Sequence, residues 1–176
     1  MKEQFIHINE YGYKYYFSDR EMKIPHREDG PAVEFADVYK AWYINGKYHR
    51  EDGPAFEDAN GYKAWYINGK RHREDGPAFE DADGSKAWYI NGKRHREDGP
   101  AIEYTTGYKT WYINGELHRE DGPAIEYTCG SKGSWYINGK RLTEEEFNTR
   151  MNPVELTLQE IAEKFGVTVD KLKIKK

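Results

Sequence analysis

The string His-Arg-Glu-Asp-Gly-Pro-Ala occurs five times in this chain. It starts at His26, His49, His72, His95 and His118, each 23 residues after the last. A second string, Trp-Tyr-Ile-Asn-Gly, starts at Trp42, Trp65, Trp88, Trp111 and Trp135. Its last interval is 24, because one residue is inserted within Ser131-Lys132-Gly133-Ser134. Every Trp lies in the second string, and every His except His7 lies in the first. A fixed period of this length marks an architecture of stacked supersecondary units rather than one core of unique contacts.

One unit, Lys63 to Ser85, shows what each copy can fold into. Lys63-Ala64-Trp65-Tyr66-Ile67 is aromatic and β-branched, hence strand-forming. Asn68-Gly69 tolerates positive φ at both central positions, as a type I′ hairpin turn requires. Lys70-Arg71-His72 is then the return strand. Glu74-Asp75-Gly76-Pro77 reads as a turn, with Asp bonding its own backbone, Gly relaxing φ and Pro removing a ladder donor. Ala78-Phe79-Glu80 is a short third strand. Ala82-Asp83-Gly84 is a second turn, matched by Asn60-Gly61 and Thr106-Gly107.

No unit this small encloses a core alone, so units must stack neighbour on neighbour. The expected contacts place each Trp against its equivalents or against the apolar residue after Ala (Val33, Phe56, Phe79, Ile102, Ile125). Burial of about 200 Å² per Trp is worth on the order of 5 kcal/mol before entropy is subtracted. Composition agrees with a thin fold. Charged residues make up 33% of the chain, yet aromatics reach 15%, with 15 Tyr, which separates it from disordered chains. The expected fold class is mainly β: an elongated tandem β-hairpin repeat, as a single-layer antiparallel sheet or solenoid, with a short C-terminal helical cap. The expected boundaries are 1–25 for an N-terminal degenerate repeat, 26–141 for the tandem repeats and 142–176 for the C-terminal cap and tail.

At Trp-Tyr-Ile-Asn-Gly-Lys-x-His the sequence resembles the MORN repeat, over roughly residues 13–141. It is a divergent form, with His-Arg where the family has His-Gly and with Asp-Gly-Pro-Ala added. The variant is similar to those of bacterial antitoxin-like and bacteriophage proteins. The resemblance implies stacked β-hairpins in a long curved sheet, and functions of binding and scaffolding toward proteins and, in some members, lipids.

The two ends are atypical, as repeat termini must be. Lys14-Tyr15-Tyr16-Phe17-Ser18 reads as a degenerate unit, with three extra residues before His26. Thr143 to Glu146 and Thr157 to Glu160 each have the spacing of a capping box, which starts a helix. The first helix is expected to run to about Arg150 before Pro153. In the second, Leu158, Ile161, Ala162 and Phe165 share one face, and Gly166 ends it. Val167-Thr168-Val169 and Leu172-Lys173-Ile174 are expected as a last strand or turn. The segment Leu158–Leu172 faintly resembles the first half of a helix-turn-helix, and Lys171, Lys173, Lys175 and Lys176 make a small basic end. The plainer expectation is a cap over the open sheet edge.

The His-Arg-Glu-Asp strings carry metal-ligand types, but His and Arg alternate faces on a strand and come in five like copies, so a structural role is expected. No catalytic constellation is evident. Cys129 has no partner His nearby in sequence and reads as an incidental turn substitution. No cofactor and no metal is expected. The candidate binding surface is a row of Tyr43, Tyr66, Tyr89, Tyr112 and Tyr136, with Arg50, Arg73, Arg96 and Arg119, since Tyr and Arg are favoured at protein interfaces. The opposing expectation is that the Tyr row only stabilises the sheet.

A net charge of −4 does not match a nucleic-acid binder. A single cysteine, no leader-like N-terminus and no long apolar run point to a cytoplasmic protein away from the membrane. The leading expectation is a non-enzymatic scaffold that binds a partner protein, in an antitoxin, immunity or phage-encoded inhibitor setting. Two alternatives stay open: sequestration of a small ligand or nucleotide between rows of Tyr, Arg and His, and a structural, self-assembling role as a homo-oligomer.

Overall fold

A computed structural model describes residues 4–128, 130–153 and 156–172. The chain divides into two compact units, Met1–Arg141 and Leu142–Lys176. Cys129, Lys173 and Ile174 lie outside the described residues.

Each repeat makes two hairpins of different kinds. One kind joins a continuous antiparallel sheet. Among the described residues this sheet has 11 strands, taken in chain order from Phe5–Ile8 at one edge to Ile125–Glu126 at the other. The second kind stands apart as five two-stranded hairpins built on Tyr-Ile-Asn-Gly-Lys. Asn68 and Gly69 have φ of 50° and 78°, and the other four Asn-Gly pairs are likewise both positive, as the turn chemistry requires.

The expected strand Lys63–Ile67 is therefore split in two. Lys63–Ala64 belongs to the large sheet, and Tyr66–Ile67 pairs with Lys70–Arg71. The break falls at Trp65, whose backbone serves both ladders. Its N–H donates to the Ala78 carbonyl at 2.9 Å, and its carbonyl accepts from the His72 N–H at 3.1 Å. Trp42, Trp88 and Trp111 repeat this pattern. So does Tyr16, whose N–H reaches Ala32 and whose carbonyl accepts from His26, so the degenerate unit is bonded like the others.

Period-two alternation gives the large sheet two unlike faces. On one, Val33, Ala41, Phe56, Ala64, Phe79, Ala87, Ile102, Thr110 and Ile125 are successive cross-strand neighbours. On the other, Glu and Lys alternate strand by strand, as in Glu57, Lys63, Glu80, Lys86, Glu103, Lys109 and Glu126. Opposite charges set side by side across strands stabilise the register.

The innermost layer is alanine, not tryptophan. Ala32, Ala55, Ala78, Ala101 and Ala124 are fully buried at 0% exposure, whereas the Trp rings are only half-buried. Each of these alanines faces the residue where the chain passes from sheet to hairpin, and only a methyl group is enclosed there. The expectation that each Trp packs on its equivalents or on the apolar residue after Ala is thus corrected: the innermost row is alanine, and arginines cover the Trp rings of four copies.

Hairpins of successive repeats are also bonded to each other. The N–H of Arg50 donates to the Tyr66 carbonyl (3.0 Å), that of Gly69 to the Tyr48 carbonyl (2.8 Å), and that of Asn68 to His49 Nδ1 (3.2 Å). The same Asn-to-His bond recurs at His26, His72, His95 and His118. This gives the repeated His a structural role: its Nδ1 lone pair satisfies a turn N–H of the next copy.

The second unit has two helices, α1 (Glu144–Met151) and α2 (Leu158–Phe165). Both expected capping boxes are formed, from Thr143 with Glu146 and Thr157 with Glu160. Gly166 closes α2 at φ 63°. Val169–Lys171 is a single 3-10 turn rather than a strand. No helix of the described residues is long and apolar enough to cross a membrane.

Candidate functional site

The two sets of candidate binding residues lie on different sides of the repeat. Arg50, Arg73, Arg96 and Arg119 lie flat on the Trp eight residues before them, with the guanidinium carbon 4.1, 4.2, 3.9 and 3.8 Å from the ring centre. Arg27 lies in the same way on Tyr16, at 4.1 Å. Each guanidinium also donates through Nε to the Asp two residues on (Arg96 to Asp98, 2.8 Å) and through Nη1 to the Pro carbonyl four residues on (Arg96 to Pro100, 3.2 Å). In four copies Nη1 also reaches a sheet glutamate, as from Arg96 to Glu103 at 2.7 Å. These arginines are thus engaged within their own repeat, and they hold the Asp29, Asp52, Asp75, Asp98 and Asp121 carboxyls below the usual carboxylate range.

The glycine of Asp-Gly-Pro has a reason that the turn reading missed. It is not at positive φ; a Cβ at Gly99 would stand 3.0 Å from Arg96 Cζ. Glycine is there to make room for the guanidinium.

The tyrosines face the other way. Tyr43, Tyr66, Tyr89, Tyr112 and Tyr136 are all half-buried and lie on the first strands of the small hairpins. Opposite them on the return strand stand Tyr48, Arg71, Arg94 and Leu117. The side chains interleave along the repeat axis. Tyr43 and Tyr48 have ring centres 4.3 Å apart, and Tyr48 and Tyr66 are 5.1 Å apart. Arg71 then lies 5.8 Å from the Tyr66 ring and 5.4 Å from Tyr89, and Arg94 lies 5.2 Å from Tyr112.

This row leans over the apolar face of the large sheet. Tyr48 meets Phe56 edge-on at 6.4 Å, and Arg71 stands 5.2 Å from Phe79. A second aromatic row lies on the sheet itself, through Phe35, Tyr39, Phe56, Tyr62 and Phe79, with ring centres 4.5 to 5.5 Å apart. Between the rows is a trough. Part of it is an open cavity of about 300 Å³ lined by Tyr48, Phe56, Asp58, Tyr62, Ala64 and Tyr66. Burial pushes the hydroxyls of Tyr39, Tyr43 and Tyr62 upward, further from ionisation.

Two residues absent from the sequence-based candidates matter here. Arg71 donates to the hydroxyls of Tyr66 (3.1 Å) and Tyr62 (3.4 Å), and Arg94 to those of Tyr89 and Tyr112 (both 3.4 Å). Burial works against the charge on Arg71, but hydrogen bonding and electrostatic interaction with the surrounding tyrosines, Tyr66 first, outweigh it and its pKa lies above the ordinary value. Their signal in the sequence was positional. Six residues after each Trp the copies read Tyr48, Arg71, Arg94, Leu117 and Arg141, in the middle of strings that otherwise hardly change.

Among the described residues no three His, Cys, Asp or Glu side chains converge as a metal site needs. Neither protein-family models nor curated proteins give any match to this chain. Fold and site together define a tandem β-hairpin repeat protein with an aromatic trough along one side.

Proposed function

We propose that this chain is a non-enzymatic, MORN-like repeat scaffold that binds a partner protein along the tyrosine trough. The observation that carries the reading is the continuous run of half-buried rings from Tyr43 through Tyr48 to Tyr66, opposite Phe56 and Tyr62. Tyrosine offers large, rigid contact area with a polar tip, and such residues dominate interface hot spots. The resemblance to antitoxin-like and phage repeats favours an inhibitor or immunity setting in the cytoplasm.

The test is affinity capture from the native host with the tagged chain and with Tyr66, Tyr89 and Tyr112 changed to Ala. A single partner, retained by wild type and lost by a variant whose circular dichroism is unchanged, supports the reading. Capture that ignores the substitutions removes the trough as the site. A stoichiometric small molecule released from the purified protein would favour ligand sequestration, and a mass that rises with concentration would favour self-assembly.

A further inference from the structure

The trough changes chemistry along its length. At one position of the hairpin it carries Tyr48, then Arg71 and Arg94, then an apolar Leu117, and Arg141 in the last copy, so two arginines are adjacent only at Arg71 and Arg94. The two arginines differ from the arginines of the five His-Arg-Glu-Asp loops. Arg27, Arg50, Arg73, Arg96 and Arg119 are each paired with an aspartate. Arg71 and Arg94 rest on tyrosine rings and hydroxyls, and among the described residues neither forms an ion pair with a carboxylate.

A phenol hydroxyl accepts a hydrogen bond but does not neutralise a guanidinium. Arg71 is moreover half-buried, where an unbalanced charge is costly. Asp58 lines the cavity beside Tyr62 and Tyr66, and Glu116 lines the surface beside Arg94, but neither carboxylate is paired with Arg71 or Arg94, so both guanidiniums keep room for an incoming one. Arg71 and Arg94 hold equivalent places one repeat apart. Two strands per repeat at about 4.8 Å each put them roughly 10 Å from one another. Each guanidinium is already oriented by two phenols, so little side-chain entropy remains to be lost when an anion arrives.

We infer that Arg71 and Arg94 are the charge-reading part of the trough, each taking one carboxylate of an acidic segment of the partner protein. The inference rests on the partner-binding reading and adds the partner's chemistry to it. A short peptide fits better than a nucleic acid. A polyphosphate backbone needs many cations along its path. Arg71 and Arg94 stand one repeat apart, which suits two separate carboxylates and not a continuous run of phosphates.

The test uses the full chain and a fluorescein-labelled decaglutamate peptide followed by anisotropy. Saturable binding is expected, weaker at high salt. It should fall at least about tenfold in R71Q/R94Q, as loss of two charge-assisted contacts implies. K70Q/K93Q removes the same charge from exposed neighbours on the same strands and should change affinity by less than about twofold. Circular dichroism and a thermal melt establish that both variants fold. No saturable binding, or equal losses in the two variants, overturns the inference. Tighter binding of a ten-nucleotide oligothymidylate, full displacement by millimolar inorganic phosphate, or self-association abolished by R71Q/R94Q also overturns it, in favour of a nucleic acid, a free anion or a second copy. If R71Q/R94Q still captures the partner that the Tyr variants lose, partner binding stands and the acidic-segment inference falls alone.

Discussion

The guanidinium carbon of Arg96 lies 3.9 Å from the centre of the Trp88 ring, and the Gly99 Cα is so near that a Cβ on it would stand 3.0 Å from that same carbon. The pair recurs at Trp42–Arg50, Trp65–Arg73 and Trp111–Arg119. It explains why Trp, Arg and Asp-Gly-Pro keep one spacing: ring, cation and glycine form a single packing unit, tied down by Asp98 and the Pro100 carbonyl.

R96A should destabilise the fold by about 1–3 kcal/mol, from the lost stack, the lost hydrogen bonds and an uncovered Trp88. R96K keeps the charge but not the planar fork, and should recover less than half of the loss. Urea unfolding followed by Trp fluorescence measures both; R96K as stable as wild type would show that charge alone matters.

Gly99→Ala tests the space argument separately. Alone it should cost about 1–2 kcal/mol, because the Cβ displaces the guanidinium. In an R96A background it should cost almost nothing. Two residues that share one space are coupled, and a double-mutant cycle exposes the coupling. Additive losses would mean that glycine is required for the backbone after all.

Ala78 is fully buried, facing Trp65 where the chain crosses from sheet to hairpin. A78V should overfill the row and cost about 1–3 kcal/mol. A valine at the neighbouring sheet position is tolerated natively at Val33, so F79V should cost less in strain. Its loss should instead follow the smaller apolar area. Thermal melts of the two variants would rank them, and an A78V that melts with wild type would contradict the tight alanine row.

Acid should weaken the fold through the five loop aspartates. Hydrogen bonds from Arg27, Arg50, Arg73, Arg96 and Arg119 depress their pKa in the folded chain. A carboxyl whose pKa is lower folded than unfolded stabilises the fold above its unfolded value, near 3.9, and loses that contribution as pH falls through the folded value. Stability should therefore decline below about pH 4. D98N should be less stable than wild type at neutral pH and show a shallower acid decline. Urea midpoints measured from pH 5 to pH 2 give the comparison; an unchanged slope in D98N would place the acid sensitivity elsewhere.

Much of this architecture was open to local reasoning. Asn68-Gly69 announces a hairpin because few other pairs accept positive φ twice. Thr143 and Thr157 announce helices because a hydroxyl and a carboxylate three residues apart satisfy end N–H groups. The Tyr row was legible as a face because strand residues alternate. The split at Trp65 was not. It depends on two hydrogen bonds, to Ala78 and from His72, that close over 13 and 7 residues through different ladders. Nor did Arg71 stand out, since its worth depends on which rings surround it.

The amino-acid order alone determined the period, the turns, the helix ends and the alternation of Trp and Tyr faces, because each follows from φ preferences or bonds within a few residues. Only the tertiary structure decided what the faces meet. It put alanine rather than tryptophan in the innermost row, spent the loop arginines on Trp and Asp, and left Arg71 and Arg94 among phenols in the trough. The last of these, with Arg94 reaching Tyr112, depends on distances between copies that are 23 residues apart in sequence and about 10 Å apart in space, set by the spacing of paired strands.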